Sequence, residues 1–230
     1  MSKSQIYIVS IEGNIGSGKT TLMTHLKQYY KDCPFVRFVR EPVDEWENFS
    51  DENGNNMLQK FYGNQSKYAF PFQIMALMTR FSIIKAEIEL IQKDAELYGK
   101  KIIIITERSL QTDKDIFAKM LFEQGKMESV CFSIYMRCFD ELNSLFASNA
   151  CIYVATEPSL CYKRMHVRSR EGEQGMPLAY LESCHKYHRK FIASQEVLLE
   201  LDGNQDLIQK PLTMDNWLIQ IDLFLNHLIS

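Results

Sequence analysis

Short apolar runs alternate along the chain with longer stretches of helical periodicity. QIYIVSIE, residues 5–12, is β-rich and stops at a glycine. FVRFVR (35–40) alternates like a half-buried strand and ends at Glu41-Pro42. KIIIITE (101–107) and CIYVAT (151–156) are almost wholly apolar, the pattern of parallel strands covered on both faces. EVLLEL (196–201) is a further strand-like run. Between these runs the spacing predicts helices over 19–30, 56–62, 70–98 with Gly99 as C-cap, 113–147 with a break near Gly125, 158–170, 177–195 and 214–228. NFSDENGNN (48–56) and EGEQGMP (171–177) read as polar loops. Strands separated by helices predict an α/β fold, a doubly wound parallel sheet of about five strands flanked by helices. No repeat, low-complexity tract or linker divides residues 1–230, which are expected to form one domain.

One helix breaks its own pattern. FPFQIMALMTRF (70–81) is mostly apolar, yet Gln73 and Arg80 stand on one helical face, two turns apart. A buried guanidinium without an anion is costly, so Arg80 needs a carboxylate nearby.

Composition narrows the function classes. With 46% hydrophobic and 24% charged residues, the chain resembles ordinary globular proteins. A net charge of −3 supplies no broad basic field, and no nucleic-acid partner is expected. The six cysteines form no C-x-x-C pair and no zinc-like spacing with histidine, which favours free thiols in a reducing compartment. No apolar run reaches the roughly 20 residues of a membrane helix. The first strand starts almost at the N-terminus, so a cytoplasmic location without membrane attachment is expected.

GNIGSGKT (13–20) fits G-x-x-x-x-G-K-[ST], and it follows a predicted strand and opens a helix. Glycines let backbone N–H groups turn inward around phosphate oxygens, and the helix N-terminus adds partial positive charge. The candidate phosphate-binding residues are Gly13, Asn14, Ile15, Gly16, Ser17, Gly18, Lys19, Thr20 and Thr21. Lys19 is placed to reach the β- and γ-phosphates, and Thr20 to offer its hydroxyl to Mg²⁺. The loop specifies a nucleoside triphosphate but not a reaction. A GTPase should carry N-K-x-D, and none is present.

Two more strands end in charged residues, Arg40-Glu41-Pro42 and Thr106-Glu107-Arg108-Ser109. Ligands of open α/β sheets bind outside the carboxyl ends of the strands, so Glu41 and Glu107 fall on the edge that carries the phosphate loop. A kinase acting on an alcohol needs a group to take the hydroxyl proton and another to help hold Mg²⁺. The alternative is a surface ion pair, such as Arg40 with Glu41, of little energetic weight.

GNIGSGKT, EPVDEW (41–46), FYGNQSKYAFPFQ (61–73), ERS (107–109) with Asp113 four residues after its serine, and RSREGEQGMPLAYLE (168–182) follow in an order that resembles the cellular-type deoxynucleoside kinases. That group contains deoxycytidine, deoxyguanosine and mitochondrial thymidine kinases, and the resemblance spans about residues 5–207. It implies a P-loop kinase fold with an arginine-rich lid over about 164–176. It also implies Mg²⁺-dependent transfer of the γ-phosphate of ATP, or another nucleoside triphosphate, to the 5′-hydroxyl of a deoxynucleoside in nucleotide salvage.

The resemblance assigns roles by position. Glu41 becomes the general base, with Lys19 and Arg108 as the other catalytic residues and Thr20 and Glu107 as the metal-side pair. Tyr62 and Glu173 hold the sugar 3′-hydroxyl, and Trp46 walls the pocket. Gln73 pairs with the base edge, with Ala76 one turn on, and Phe72 and Phe117 stack against the base. Arg80 and Asp113 form the charged pair of enzymes that prefer deoxycytidine or deoxypurines over thymidine. Arg164, Arg168 and Arg170 grip the triphosphate. Asn204, Gln205, Asp206 and Leu207 match the donor-base loop, although Leu207 replaces an aromatic and Tyr68 stands where the deoxycytidine enzyme has tryptophan. A homodimer built from helices 70–98 and 113–147 is also implied. The alternatives are a broad or thymidine-accepting kinase and a non-catalytic nucleotide-binding protein on the same fold. A nucleoside monophosphate kinase would need a cationic site for the acceptor phosphate, where this chain offers glutamine, tyrosine and aromatics.

Overall fold

Five strands, β1 (Gln5–Glu12), β2 (Val36–Val39), β3 (Lys101–Glu107), β4 (Ala150–Ala155) and β5 (Leu198–Asp202), form one parallel sheet in the order β2-β3-β1-β4-β5. The fold is α/β, as the strand–helix alternation predicts. The computed structural model describes residues 4–143, 146, 148–170, 172–173, 175–205 and 212–230. The helices are α1 (Lys19–Tyr29), α2 (Val43–Glu47), α3 (Met57–Gly63), α4 (Gln65–Lys93), α5 (Leu110–Thr112), α6 (Lys119–Glu123), α7 (Ser129–Asn143), α8 (Pro158–Arg168), α9 (Leu178–Ile192) and α10 (Leu212–Ile229).

β3 shows why a run of isoleucines becomes a central strand. Successive side chains point to opposite faces, and both faces are covered. Ile102 and Ile104 pack with Ile8 and Val39 against Ile84, Ile88 and Ile91 of α4. Ile103 and Ile105 pack on the other side with Leu22, Met23 and Leu26 of α1 and Trp217, Leu218 and Ile221 of α10. Each such side chain contributes on the order of 2 kcal/mol when fully buried. A third cluster joins α3, the N-terminal half of α4, α7 and α9. No helix among the described residues is long and apolar enough to cross a membrane.

The sequence reading gives no helix at α2 (Val43–Glu47), and two expected helices take other bounds. Helix 70–98 instead runs from Gln65 to Lys93 and includes Pro71. Proline argues for starting a helix after it, because it removes a donor from the helix interior. Here the Asn64 side chain caps the Lys67 N–H at 3.2 Å, and Ala69 and Phe72 are buried on either side of the proline. At the other end, Asp94 adopts extended backbone and its side chain accepts from Glu96 N at 3.0 Å, starting a 3₁₀ turn, Ala95–Leu97. Gly99, with φ +69°, turns the chain into β3 rather than capping α4.

The helix expected over 113–147 is also divided. α5 continues into a π-helical stretch, Asp113–Ala118, and then α6. Gly125, at φ +68°, makes the expected break before α7.

Candidate active site

Parallel register brings three strand ends level. Ile11 of β1 lies opposite Glu107 of β3, and Val39 of β2 opposite Thr106. The phosphate loop, Glu41 and Glu107 therefore leave the same edge. They line a cavity of about 470 Å³, within the usual range for small-molecule sites.

The loop is shaped by its glycines. Gly16 has φ +78°, and a Cβ there would lie 2.5 Å from the Cys161 carbonyl oxygen of α8. Gly13 has φ +148°, and a Cβ there would meet the Val154 carbonyl oxygen at 2.8 Å. No alanine fits either position without moving backbone. Ile15, Gly16, Gly18, Lys19, Thr20 and Thr21 line the cavity. Gly13, Asn14 and Ser17 do not line it and brace the loop from behind. Asn14 Nδ2 donates to Leu181 O of α9 at 2.8 Å, and Thr156 Oγ1 donates to Ser17 O at 3.1 Å.

Lys19 Nζ donates to the carbonyls of Asn14 and Gly13, at 2.8 and 3.1 Å. Burial, joined by the Arg108 charge, lowers its ammonium to about 8. Thr20 Oγ1 donates to Glu107 Oε1 at 2.6 Å. Among the described residues Glu107 has no basic side chain within ion-pair distance, and no cluster of three or more His, Cys, Asp or Glu could cage a metal. An open carboxylate–hydroxyl pair fits Mg²⁺, which keeps several waters and takes its other ligands from phosphates.

Glu41 does not pair with Arg40, which is exposed. Its Oε1 lies 2.9 Å from Arg80 Nη2 and 3.1 Å from Arg108 Nε. Burial alone would raise the Glu41 carboxyl, but Arg108, Arg80 and Lys19 together hold it at about 2. Arg80 is 1% exposed and uses its whole fork. Nε and Nη2 bind Asp113 at 2.8 and 3.2 Å, Nη1 binds Glu107 O at 2.7 Å, and Nη2 also reaches Glu41. These partners outweigh its burial and raise its pKa, so it stays charged. One guanidinium thus connects the ends of β2 and β3 to the π-helical turn. That turn directs both Asp113 and Phe117 into the cavity, a placement typical of π-helical insertions at functional sites.

Gln73 is only 2% exposed, and among the described residues its Oε1 has no hydrogen-bond partner. It lies in the cavity wall with Trp46, Tyr62, Phe72, Ala76, Arg80 and Asp113. An orphaned buried acceptor costs stability, so a ligand donor is the natural complement. Trp46 is held by its indole N–H, which donates to Thr79 Oγ1 at 2.8 Å. Phe72 stacks on Phe61 with centroids 4.4 Å apart, leaving its outer surface to the cavity.

Arg164, Arg168 and Arg170, the arginines of the expected lid, reach the cavity by different routes. Arg164 binds main-chain carbonyls, Gly203 at 2.9 Å and Gln205 at 3.0 Å, tying α8 to the loop after β5. Arg168 and Arg170 both pair with Glu173, the latter at 3.2 Å. All three arginines and Glu173 line the cavity. Asn204 lies away from it, with Oδ1 accepting from Glu157 N at 2.9 Å. Asp206 and Leu207 lie outside the described residues. Tyr68 is also not in the lining; Lys60 and Lys67 stand over its ring.

Sequence reasoning missed Thr24, Val43, Leu58 and Tyr180 in the lining. Val43 follows Glu41 by one intervening residue, a usable signal, whereas Leu58 and Tyr180 look like ordinary helix positions. It also missed buried His188, whose Nε2 lies 3.4 Å from Arg108 Nη1.

Comparison with known proteins places the chain in a family. A family profile described as deoxynucleoside kinase matches residues 9–226. The chain is 34% identical to deoxycytidine kinase of Homo sapiens over 234 residues, covering 90% of this chain and 87% of that protein. It is 29% identical to deoxycytidine kinase 1 of Xenopus laevis over 257 residues, with 99% and 93% covered. A probable deoxycytidine kinase of fowlpox virus is 32% identical over 228 residues, with 96% and 88% covered.

Proposed function

This chain belongs to the deoxynucleoside kinase family, and from that premise we propose that it transfers the γ-phosphate of ATP, or another nucleoside triphosphate, to the 5′-hydroxyl of a deoxynucleoside. Deoxycytidine and deoxypurines are preferred over thymidine. The observation that carries the preference is the buried base-side wall of Gln73, Arg80 and Asp113. Each Asp113 oxygen takes one hydrogen bond from Arg80 and keeps a lone pair for an exocyclic amine. Thymine has no amine at that position and would leave the remaining Asp113 lone pairs facing its carbonyl oxygen without a donor, a penalty that discriminates against it. Gln73 Oε1, without a protein partner, is the complementary acceptor for the base edge.

Catalysis would rest mainly on positioning and charge. Glu41 orients the 5′-hydroxyl and receives its proton. A carboxylate held near 2 is a weak base, which suits a loose transition state in which the hydroxyl loses its proton late. Arg108, fixed beside Glu41, faces the charge that develops on the transferring group. Lys19 and the loop N–H groups hold the β- and γ-phosphates, and Arg164, Arg168 and Arg170 close over them. Thr20 and Glu107 would hold Mg²⁺, which would neutralise charge between the donor phosphates. Tyr62 and Glu173 hold the 3′-hydroxyl, and a ribose 2′-hydroxyl would crowd Tyr62.

The deciding experiment measures phosphoryl transfer from ATP-Mg²⁺ to deoxycytidine, deoxyguanosine, deoxyadenosine and thymidine in parallel at one low concentration. Clear preference for deoxycytidine or a purine is expected. Preference for thymidine would leave a kinase but overturn the role given to Asp113. Binding of triphosphate without turnover on any acceptor would favour a non-catalytic nucleotide-binding protein.

A further inference from the structure

Arg108 needs its own support. It stands on left-handed backbone, φ +66°, an uncommon conformation for a non-glycine residue. Its Nη1 donates to Gly13 O at 2.9 Å, Nε faces Glu41, and its guanidinium lies 4.9 Å from the Phe117 ring centroid. The remaining contact of Nη1 is His188 Nε2 at 3.4 Å. Both hydrogens of Nη1 are then used, and among the described residues Nη2 makes no hydrogen bond. Nη2 is thus the edge left for the reacting group.

His188 is fully buried on α9. Its Nδ1 lies 2.8 Å from the Cys184 carbonyl oxygen, one turn earlier. A carbonyl can only accept, so Nδ1 carries the hydrogen and Nε2 presents a lone pair. Tyr153 stacks along the ring and Phe117 meets it edge-on. Burial, together with the Arg108 charge, pushes the imidazolium well below its ordinary range, so the ring stays neutral. A protonated ring would set a donor against a donor.

We propose that His188 is a positioning residue for phosphoryl transfer: its Nε2 lone pair, oriented by the Cys184 carbonyl, fixes the Arg108 guanidinium between Glu41 and the phosphate loop. The role rests on the kinase reading above. It gives α9, which carries none of the strand-end motifs, a direct part in the geometry of the reaction. Outer partners that orient metal ligands typically matter by about tenfold to a hundredfold in activity, and a neutral histidine orienting a guanidinium is expected to act on a similar scale.

The test is a double-mutant cycle with two replacements chosen for shape. His188→Asn keeps a donor where Nδ1 meets the helix carbonyl but loses the acceptor at Nε2. His188→Gln places an amide oxygen near the Nε2 position. His188→Asn is expected to lower kcat about tenfold or more, with the deoxynucleoside KM changed less than about threefold. His188→Gln should recover most of that loss. In an Arg108→Ala background, His188→Asn should cost nothing further, because no guanidinium remains to be held. Additive losses in the cycle overturn the proposal. So do equal losses for Asn and Gln accompanied by equal falls in melting temperature. Should His188→Asn not fold, His188→Phe, which retains ring size and the Tyr153 contact, takes its place with the same expected outcomes. Wild-type enzyme that phosphorylates no deoxynucleoside refutes the kinase reading and this role with it. Active wild type with an additive cycle refutes this role alone.

Discussion

Lys19 sets the behaviour of the site with pH. Burial and Arg108 bring its ammonium down to about 8. The charged fraction needed for phosphate falls as pH rises through that value. The alkaline limb of kcat/KM, which reports the free enzyme, is therefore expected near pH 8. The limb of kcat should lie higher, because bound phosphates favour the charged form. A pH series at limiting and saturating ATP distinguishes the two, and coincident limbs would contradict the assignment to Lys19. Glu41 titrates at the opposite extreme. Held at about 2, it stays ionised across the working range and should give no acid limb near pH 4 or 5. Glu41→Gln is expected to lower kcat by about a hundredfold or more, the usual scale for a positioned acid–base group. ATP affinity measured by calorimetry should change little. Asp113→Ala should raise turnover of thymidine relative to deoxycytidine in a competition assay. It should also destabilise the fold by about 3 kcal/mol, read from urea unfolding, because it removes a partner of a charge only 1% exposed.

Helices decide where these residues stand. α3 carries Leu58 and Tyr62 to the cavity, and its start is fixed by a reciprocal capping box between Asn56 and Gln59. Asn56→Ala should cost about 1 kcal/mol in stability and raise the acceptor KM more than the ATP KM, since α3 carries Tyr62, the residue proposed to hold the acceptor's 3′-hydroxyl. An unchanged KM for both substrates would separate the cap from the pocket. The π-helical stretch shows what local pattern leaves unsaid. Asp113 and Phe117 are four residues apart in an ordinary-looking helical sequence, and nothing in that sequence announces an expanded turn. α4 teaches a related lesson. Pro71 is a strong local signal against a helix interior, yet the Asn64 cap and the burial around it carry the helix through.

At the scale of the whole molecule, α4 exposes Met78 and Leu90, and α7 exposes Val130 and Ile134. These apolar side chains lie on the two helical regions that the family resemblance implies would form a homodimer, and we propose that dimer here. Sedimentation is expected to give twice the chain mass of 26.9 kDa, and Val130→Asp with Ile134→Asp should give a monomer. A wild-type monomer at micromolar concentration would remove the proposal. The sheet itself was legible in the sequence. Five apolar or alternating runs, separated by helical spacing, correspond to five parallel strands, and the glycine-rich loop follows the first of them. Local chemistry is enough for this, because strand pleat, helical period and glycine conformations act over a few neighbouring residues. The arrangement around Arg80 was legible only in part. A buried arginine requires an anion, and Asp113 matches that need. That the same guanidinium also binds Glu41 and the Glu107 carbonyl follows from three segments meeting at one sheet edge. Arg164, proposed as a phosphate ligand and present in the cavity lining, also bonds main-chain carbonyls of another loop, and His188 stands behind Arg108 without any motif of its own. By itself, then, the sequence determined the strands, the phosphate loop and which residue types the chemistry requires. The partner of each buried polar group was decided by tertiary structure, because hydrogen bonds join whichever groups the packed elements bring within about 3 Å, regardless of their separation along the chain.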